Sequence, residues 1–245
     1  RALKLSGSLK FLSAPWLKNM LAYWMGRMAE TASAPHVSRV IVVSPLDKTY
    51  LLGAKRFPDV AVLPITLPPA MSRTNHVPPP SLDQAGQLKV FISIDLTQAY
   101  LLSGFECFID EVLKPLAGSC PGLTVDVAGR IQPSEEWMRR CDGLNIRFHV
   151  WIDDLIAEMQ AADVVVVPDA SGSGLKNRAL VALYSGRPVL LSPAAAEGLN
   201  LSSGRECLIL QDSVEWVRVL QEMYDQGAGK YARNLHGRSF VVDEY

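Results

Sequence analysis

The sequence predicts a doubly wound α/β fold built on a parallel sheet, and three observations carry that prediction. From Leu88 to Gln211, short apolar runs alternate with segments of helical periodicity. The run Val164 to Val167 is valine throughout, as a strand covered by helices on both faces must be. A glycine-bearing loop, Pro168 to Gly174, joins that strand to the helix that follows. Alternating βα units of this kind imply right-handed crossovers, and ligands in such sheets sit beyond the carboxyl ends of the strands.

Bulk composition narrows the function. With 245 residues, 49% of them hydrophobic, the chain can bury at least one full core. The 24 basic and 25 acidic side chains nearly cancel, so no global field attracts nucleic acid and any anion site must be local. Cys107, Cys120, Cys141 and Cys207 form no C-x-x-C pair, and reduced thiols in a cytoplasmic protein are expected. No apolar run reaches the ~18 to 20 residues that span a bilayer, and no signal-peptide pattern opens the chain. Because the first residue is Arg1 rather than Met, a fragment or a processed chain is expected.

The elements follow in order. Pro15 to Glu30 places Trp16, Met20, Tyr23, Trp24 and Arg27 at helical spacing, with Pro15 suited to a first turn. Its apolar face is expected to pack on a neighbouring domain or, with Lys4, Lys10, Lys18 and Arg27, to lie as a peripheral contact on the inner face of a membrane. Val37 to Ser44 reads as a buried strand, followed by a helix through Ala54 and a short strand from Val60 to Pro64. Residues 1–66 are therefore read as the end of one α/β domain, and the proline-crowded 67–87 as a linker.

Residues 88–228 carry the main pattern. Strands are expected at Lys89–Ile94, Thr124–Ala128, Ile146–His149, Val164–Val167, Pro188–Leu191 and Cys207–Leu210. Helices are expected from Gly104 to Leu116, through Ala161, from Leu175 to Tyr184 and from Val214 to Tyr224, with one closing helix in 229–245. Asp153 and Asp154 suit helix capping, Glu135 and Glu136 a solvated helix start, and His149 a packed strand end.

The chemistry concentrates after Val167, where Pro168-Asp169-Ala170-Ser171-Gly172-Ser173-Gly174 leads into Leu175-Lys176-Asn177. Gly172 and Gly174 permit a tight turn with uncovered amides, and the positive end of the helix dipole favours a phosphate. A lysine at that end, Lys176, is opposed by the dipole unless an anion lies between them. The alternative is a glycine-rich connection carrying an exposed lysine. A second loop at the same sheet edge, Ser192 to Leu199, offers Glu197 either to sugar hydroxyls or to a local cap, and Arg130 is a second cation near the strand ends.

The block PDASGSGLKNRALVALYSGRPVLLSPAAAEGL resembles the donor-domain signature of the group 1 retaining glycosyltransferases of the GT-B fold (family 4-like). VSRVIVVSPLDKTYLL is similar to the end of that family's acceptor-side domain, and NLHGRSFVVDEY to its closing helix. The resemblance implies a nucleotide-diphosphate sugar as donor, a glycan or lipid-linked acceptor, metal-independent transfer without a bound cofactor, and a missing N-terminal third. It places Gly172, Ser173, Gly174, Leu175, Lys176, Asn177, Arg130, Glu197, Gly198 and Leu199 at the donor and its phosphates, and leaves the catalytic residue unassigned.

Departures from the pattern matter too. Val181 stands where members commonly carry a ribose-binding glutamate, and Ser173 where many carry another. Ser93, Val150 and Ala195 replace glycines, and Ile94 to Gly104 lacks the usual basic residue. Two other readings therefore stay open, an inactive nucleotide-sugar-binding or assembly module and a nucleotide-sugar epimerase of similar architecture.

Overall fold

The computed structural model describes residues 14–53, 57, 59–66, 84–171 and 175–245. Backbone contacts divide the chain into two units, Arg1–Leu63 and Pro64–Tyr245. The expected linker residues 67–83 lie outside the described residues.

The first unit holds α1 (Ala14–Ser33), β1 (Val40–Val42), α2 (Pro45–Gly53) and β2 (Val60–Val62). β1 and β2 pair in parallel, with Val40 opposite Val60. The buried strand expected over 37–44 is corrected: β1 is three residues long and Ile41 is 61% exposed. Among the described residues this sheet has two strands, so the side chain alternating away from the packed face meets solvent.

The second unit is built on a six-stranded, wholly parallel sheet in the order β5-β4-β3-β6-β7-β8. Its strands are β3 (Leu88–Ser93), β4 (Leu123–Ala128), β5 (Ile146–His149), β6 (Val164–Val167), β7 (Val189–Leu191) and β8 (Leu208–Ile209). All four valines of β6 are buried, Val164 and Val166 toward one core and Val165 and Val167 toward the other. Helices on both faces explain that pattern: α3 (Ala99–Phe108), α5 (Glu135–Arg140) and α9 (Ser213–Gln226) pack on one core, and α6 (Leu155–Gln160), α7 (Asn177–Tyr184) and α11 (Gly237–Glu244) on the other. The doubly wound parallel fold expected from the sequence is what the chain adopts.

Three helix boundaries differ from expectation. The helix expected from Gly104 begins five residues earlier, at Ala99, and Gly104 lies inside it because the strand-end loop 168–170 packs onto its bare α-carbon. Beyond Phe108 the helix widens into a π-helical segment, Ile109–Leu113, before a last turn α4 (Lys114–Leu116). Pro115 accounts for the widening, since it lacks an amide hydrogen and its ring crowds the carbonyl a turn earlier. The single closing helix is corrected to two, α10 (Gly229–Asn234) and α11. Between them the amide of His236 turns aside to donate to the Arg205 carbonyl at 2.8 Å, and Gly237 seats against Leu183.

Candidate functional site

Strand order reverses between β3 and β6, because one half of the sheet runs β3-β4-β5 and the other β3-β6-β7-β8. At such a switch point the helices on the two sides diverge and leave a crevice beyond the strand ends. A cleft of about 300 to 1,000 Å3 suits a small-molecule ligand; here it measures about 900 Å3 and is lined by the ends of β3 and β4, the loop after β5 and the start of α7.

Each wall has a local cause. After β3, Asp95 accepts hydrogen bonds from the Thr97 amide at 3.0 Å and hydroxyl at 2.7 Å, which turns the chain toward α3. Those bonds to Thr97 hold the Asp95 carboxyl below its ordinary range. After β4, Gly129 lets the chain pass close to the Ile94 carbonyl, and Arg130 follows at the rim. After β5, Trp151 stands 78% exposed in the cleft lining, its indole N–H donating to Asp153 at 2.8 Å. Asp154 caps α6 by accepting from the Ala157 amide at 2.9 Å.

The fourth wall holds the residues of the glycine turn. Leu175, Lys176 and Asn177 line the cleft together with Arg130. Gly172, Ser173 and Gly174 lie outside the described residues. Lys176 is not in the first helical turn: its backbone is extended, φ −94° and ψ 99°, and α7 begins at the next residue. Nor is it an exposed lysine, since only 9% of its surface is accessible, so its aliphatic stem is packed. Glu197, Gly198 and Leu199 do not join the cleft lining. Glu197 is exposed where the short helix α8 (Pro193–Ala196) ends, Gly198 makes a left-handed turn at φ 85°, and Leu199 is buried in the core beneath. Val181 likewise packs against that core.

Two groups of polar residues escaped the sequence reading. Arg178 Nη2 donates to both carboxylate oxygens of Asp169 at 2.7 Å, and Nη1 to the Ser93 carbonyl at 3.0 Å. An acid directly after a buried strand and an arginine directly after a helix start were the only local signals. On β4, Asp126 is 3% exposed and accepts from Arg147 at 2.8 and 2.9 Å, with His149 at 3.0 Å and Lys89 at 3.1 Å. His149 is thus a hydrogen-bond partner of Asp126 and not simply a packed strand end. Arg130 and Lys176 line the cleft with one carboxylate, Asp95, and with Arg178, whose charge Asp169 already offsets.

No helix among the described residues is long and apolar enough to cross a membrane. Comparison with curated proteins gave no match. Solved structures give many matches. Sucrose-phosphate synthase from Thermosynechococcus elongatus is 20% identical over 88% of this chain and 56% of its own, with a TM-score of 0.61. Anabaena HepE, solved in complex with UDP and glucose, is 17% identical over 89% of this chain and 62% of its own, TM-score 0.69. The C-terminal domain of the Francisella tularensis group 1 glycosyl transferase LpcC is 20% identical over 66% of this chain and 87% of its own, TM-score 0.52. The chain thus spans less than two thirds of the synthase and of HepE, and it shares their GT-B fold. The sequence profile described as "Glycosyl transferases group 1" matches residues 98–226, more than half of the 245, and on that match the chain belongs to the group 1 glycosyl transferases.

Proposed function

We propose that the second unit binds a nucleotide-diphosphate sugar and that the protein serves in transfer of its sugar to a glycan or lipid-linked acceptor. The observation that carries the reading is the pairing of Lys176 and Arg130 in one cleft at the switch point, beside the amino end of α7. A departing diphosphate would develop charge there, and preorganised cations with a helix dipole stabilise such charge where water is partly excluded. Asn177, exposed at the helix start, offers an amide to hydroxyl groups. Gly172, Ser173, Gly174, Glu197, Gly198 and Leu199 stay in the proposal on their sequence pattern alone. HepE, whose structure holds UDP, supports the choice of ligand class.

Calorimetric titration of the chain with uridine and guanosine diphosphates tests the reading. Saturable binding of one of them is expected, weakened by about 1 to 3 kcal/mol in Lys176→Ala through loss of a charge-assisted bond. If neither nucleotide saturates at millimolar concentration, the reading falls. Val181, packed in the core where the resemblance implies a ribose-binding carboxylate, favours a second reading, a binding or assembly module without turnover. Binding of donor without release of radiolabelled sugar to any glycan or lipid acceptor would select it.

A further inference from the structure

We infer that Arg178 is a positioning residue of this anion site, acting through Asp169 to hold Lys176 in place; the inference rests on the nucleotide-binding reading of the cleft. The guanidinium joins three separate elements. It reaches Asp169 just past the end of β6, the Ser93 carbonyl at the end of β3, and its own place in the first turn of α7. The two strands it ties are the pair that flank the switch point.

Asp169 is a firm anchor. Its side chain is 1% exposed, and its carbonyl accepts the Ser192 hydroxyl at 2.6 Å. From the other side α3 closes directly onto the same loop, where a β-carbon on Gly104 would come within 2.6 Å of the Ala170 nitrogen. A buried carboxylate deprived of its cation is strongly destabilised, so Arg178 is bound to this arrangement. Lys176 lies two residues before it, in extended backbone, and lines the same cleft. Holding position 178 therefore limits where the Lys176 ammonium can go.

The pair also stands between two hollows. Arg178 lines the main cleft, whereas Asp169 lines a smaller cavity of about 360 Å3 beside α3 and α9. Arginine is suited to this task because its planar fork bonds two acceptors in fixed directions, which an ammonium cannot do.

The test uses the full chain with Asp169→Asn and Arg178→Lys, each alone and each combined with Lys176→Ala. UDP affinity is expected to fall about tenfold in either single variant, within the range over which neighbouring residues couple, and to fall no further when Lys176→Ala is already present. A general loss of stability would instead add its effect to that of Lys176→Ala. Asp169→Asn leaves an extra positive charge in the cleft, so UDP binding that tightens or stays unchanged would mark Arg178 as a direct phosphate ligand and overturn the inference. Amide hydrogen exchange without ligand gives an independent reading. Faster exchange at residues 175–177 with β3, β6 and β7 still protected is expected, and unchanged exchange there would also overturn it. If the unaltered chain binds no UDP, the proposed function fails, while the exchange result still decides whether the ion pair holds the Lys176 segment.

Discussion

Gly104 and Pro168 meet backbone to backbone: a β-carbon built on Gly104 would fall inside the Pro168 carbonyl oxygen and 2.6 Å from the Ala170 nitrogen. Mid-helix glycine normally loses to alanine by up to about 1 kcal/mol, so the substitution would stabilise an exposed helix. Here the clash is with main chain that cannot rotate away, and overpacking of roughly 1 to 3 kcal/mol or more wins. Gly104→Ala is expected to lower unfolding stability in urea by at least about 1 kcal/mol. Gly118→Ala, where an added β-carbon has open space, should stay within about 0.5 kcal/mol. Equal midpoints for the two variants would show that α3 does not close on the loop.

Cysteine reactivity should separate by burial. Cys107 is exposed, and Cys120, Cys141 and Cys207 are buried and unpaired by disulfides. Burial pushes the Cys120 and Cys141 thiols up, and pushes Cys207 up to about 12. Thiolate is the reacting form, so at pH 8 an aromatic disulfide reagent should label a single thiol rapidly in the folded chain and all four in urea. Rapid labelling of Cys207 in the folded state would contradict its placement.

Asp126 sets a pH dependence. Burial alone would raise its carboxyl, but the bonds from His149, Arg147 and Lys89 outweigh that and hold it below the ordinary range. A group whose folded pKa is depressed contributes stability that is complete above the unfolded value, about 3.9, and is lost as pH falls through the folded value. Asp126→Asn should therefore flatten the acid limb of the stability curve below about pH 4. It should also cost roughly 2 kcal/mol at pH 7, less than a fully buried pair because the Arg147 side chain is largely in solvent. A neutral-pH stability unchanged by Asp126→Asn would mean that the three partner side chains find water instead.

Trp151 offers a flat ring at the cleft with its indole nitrogen already held by Asp153. Stacking of a nucleobase on an aromatic ring is worth about 1 to 3 kcal/mol by alanine substitution. Trp151→Ala should weaken UDP by that amount and abolish most of the ligand-induced fluorescence change, while leaving the melting temperature nearly unaltered because the ring is so exposed. A fluorescence change retained in Trp151→Ala would place the base elsewhere.

Local chemistry alone determined a good deal about this protein. The valines of β6, the alternating apolar runs around them and the turn residues between them specify a buried parallel strand wherever they are placed, and the doubly wound sheet follows. The block from Pro168 to Leu199 was likewise legible, so the family and the presence of Lys176, Asn177 and Arg130 at one sheet edge could be expected. Tertiary structure decided what depends on partners distant in sequence. Asp169 and Arg178 become an ion pair only in the fold, where β3 supplies the Ser93 carbonyl as a further acceptor for Arg178 and Ser192 fixes the loop. Lys176, at the mouth of a glycine turn in the sequence, is buried in the fold while it lines the cleft. Glu197 adjoins the same edge in sequence pattern, yet Leu199 is drawn into the core and leaves it outside the cleft lining. Helix breaks behave the same way: Gly237 marks a weak point, but the break arises because the His236 amide finds the Arg205 carbonyl, 31 residues away, in place of its own helix. Periodicity reports which face of an element is apolar; which polar groups meet is settled by packing, because a hydrogen bond forms only within about 3 Å and that distance is set by the whole fold.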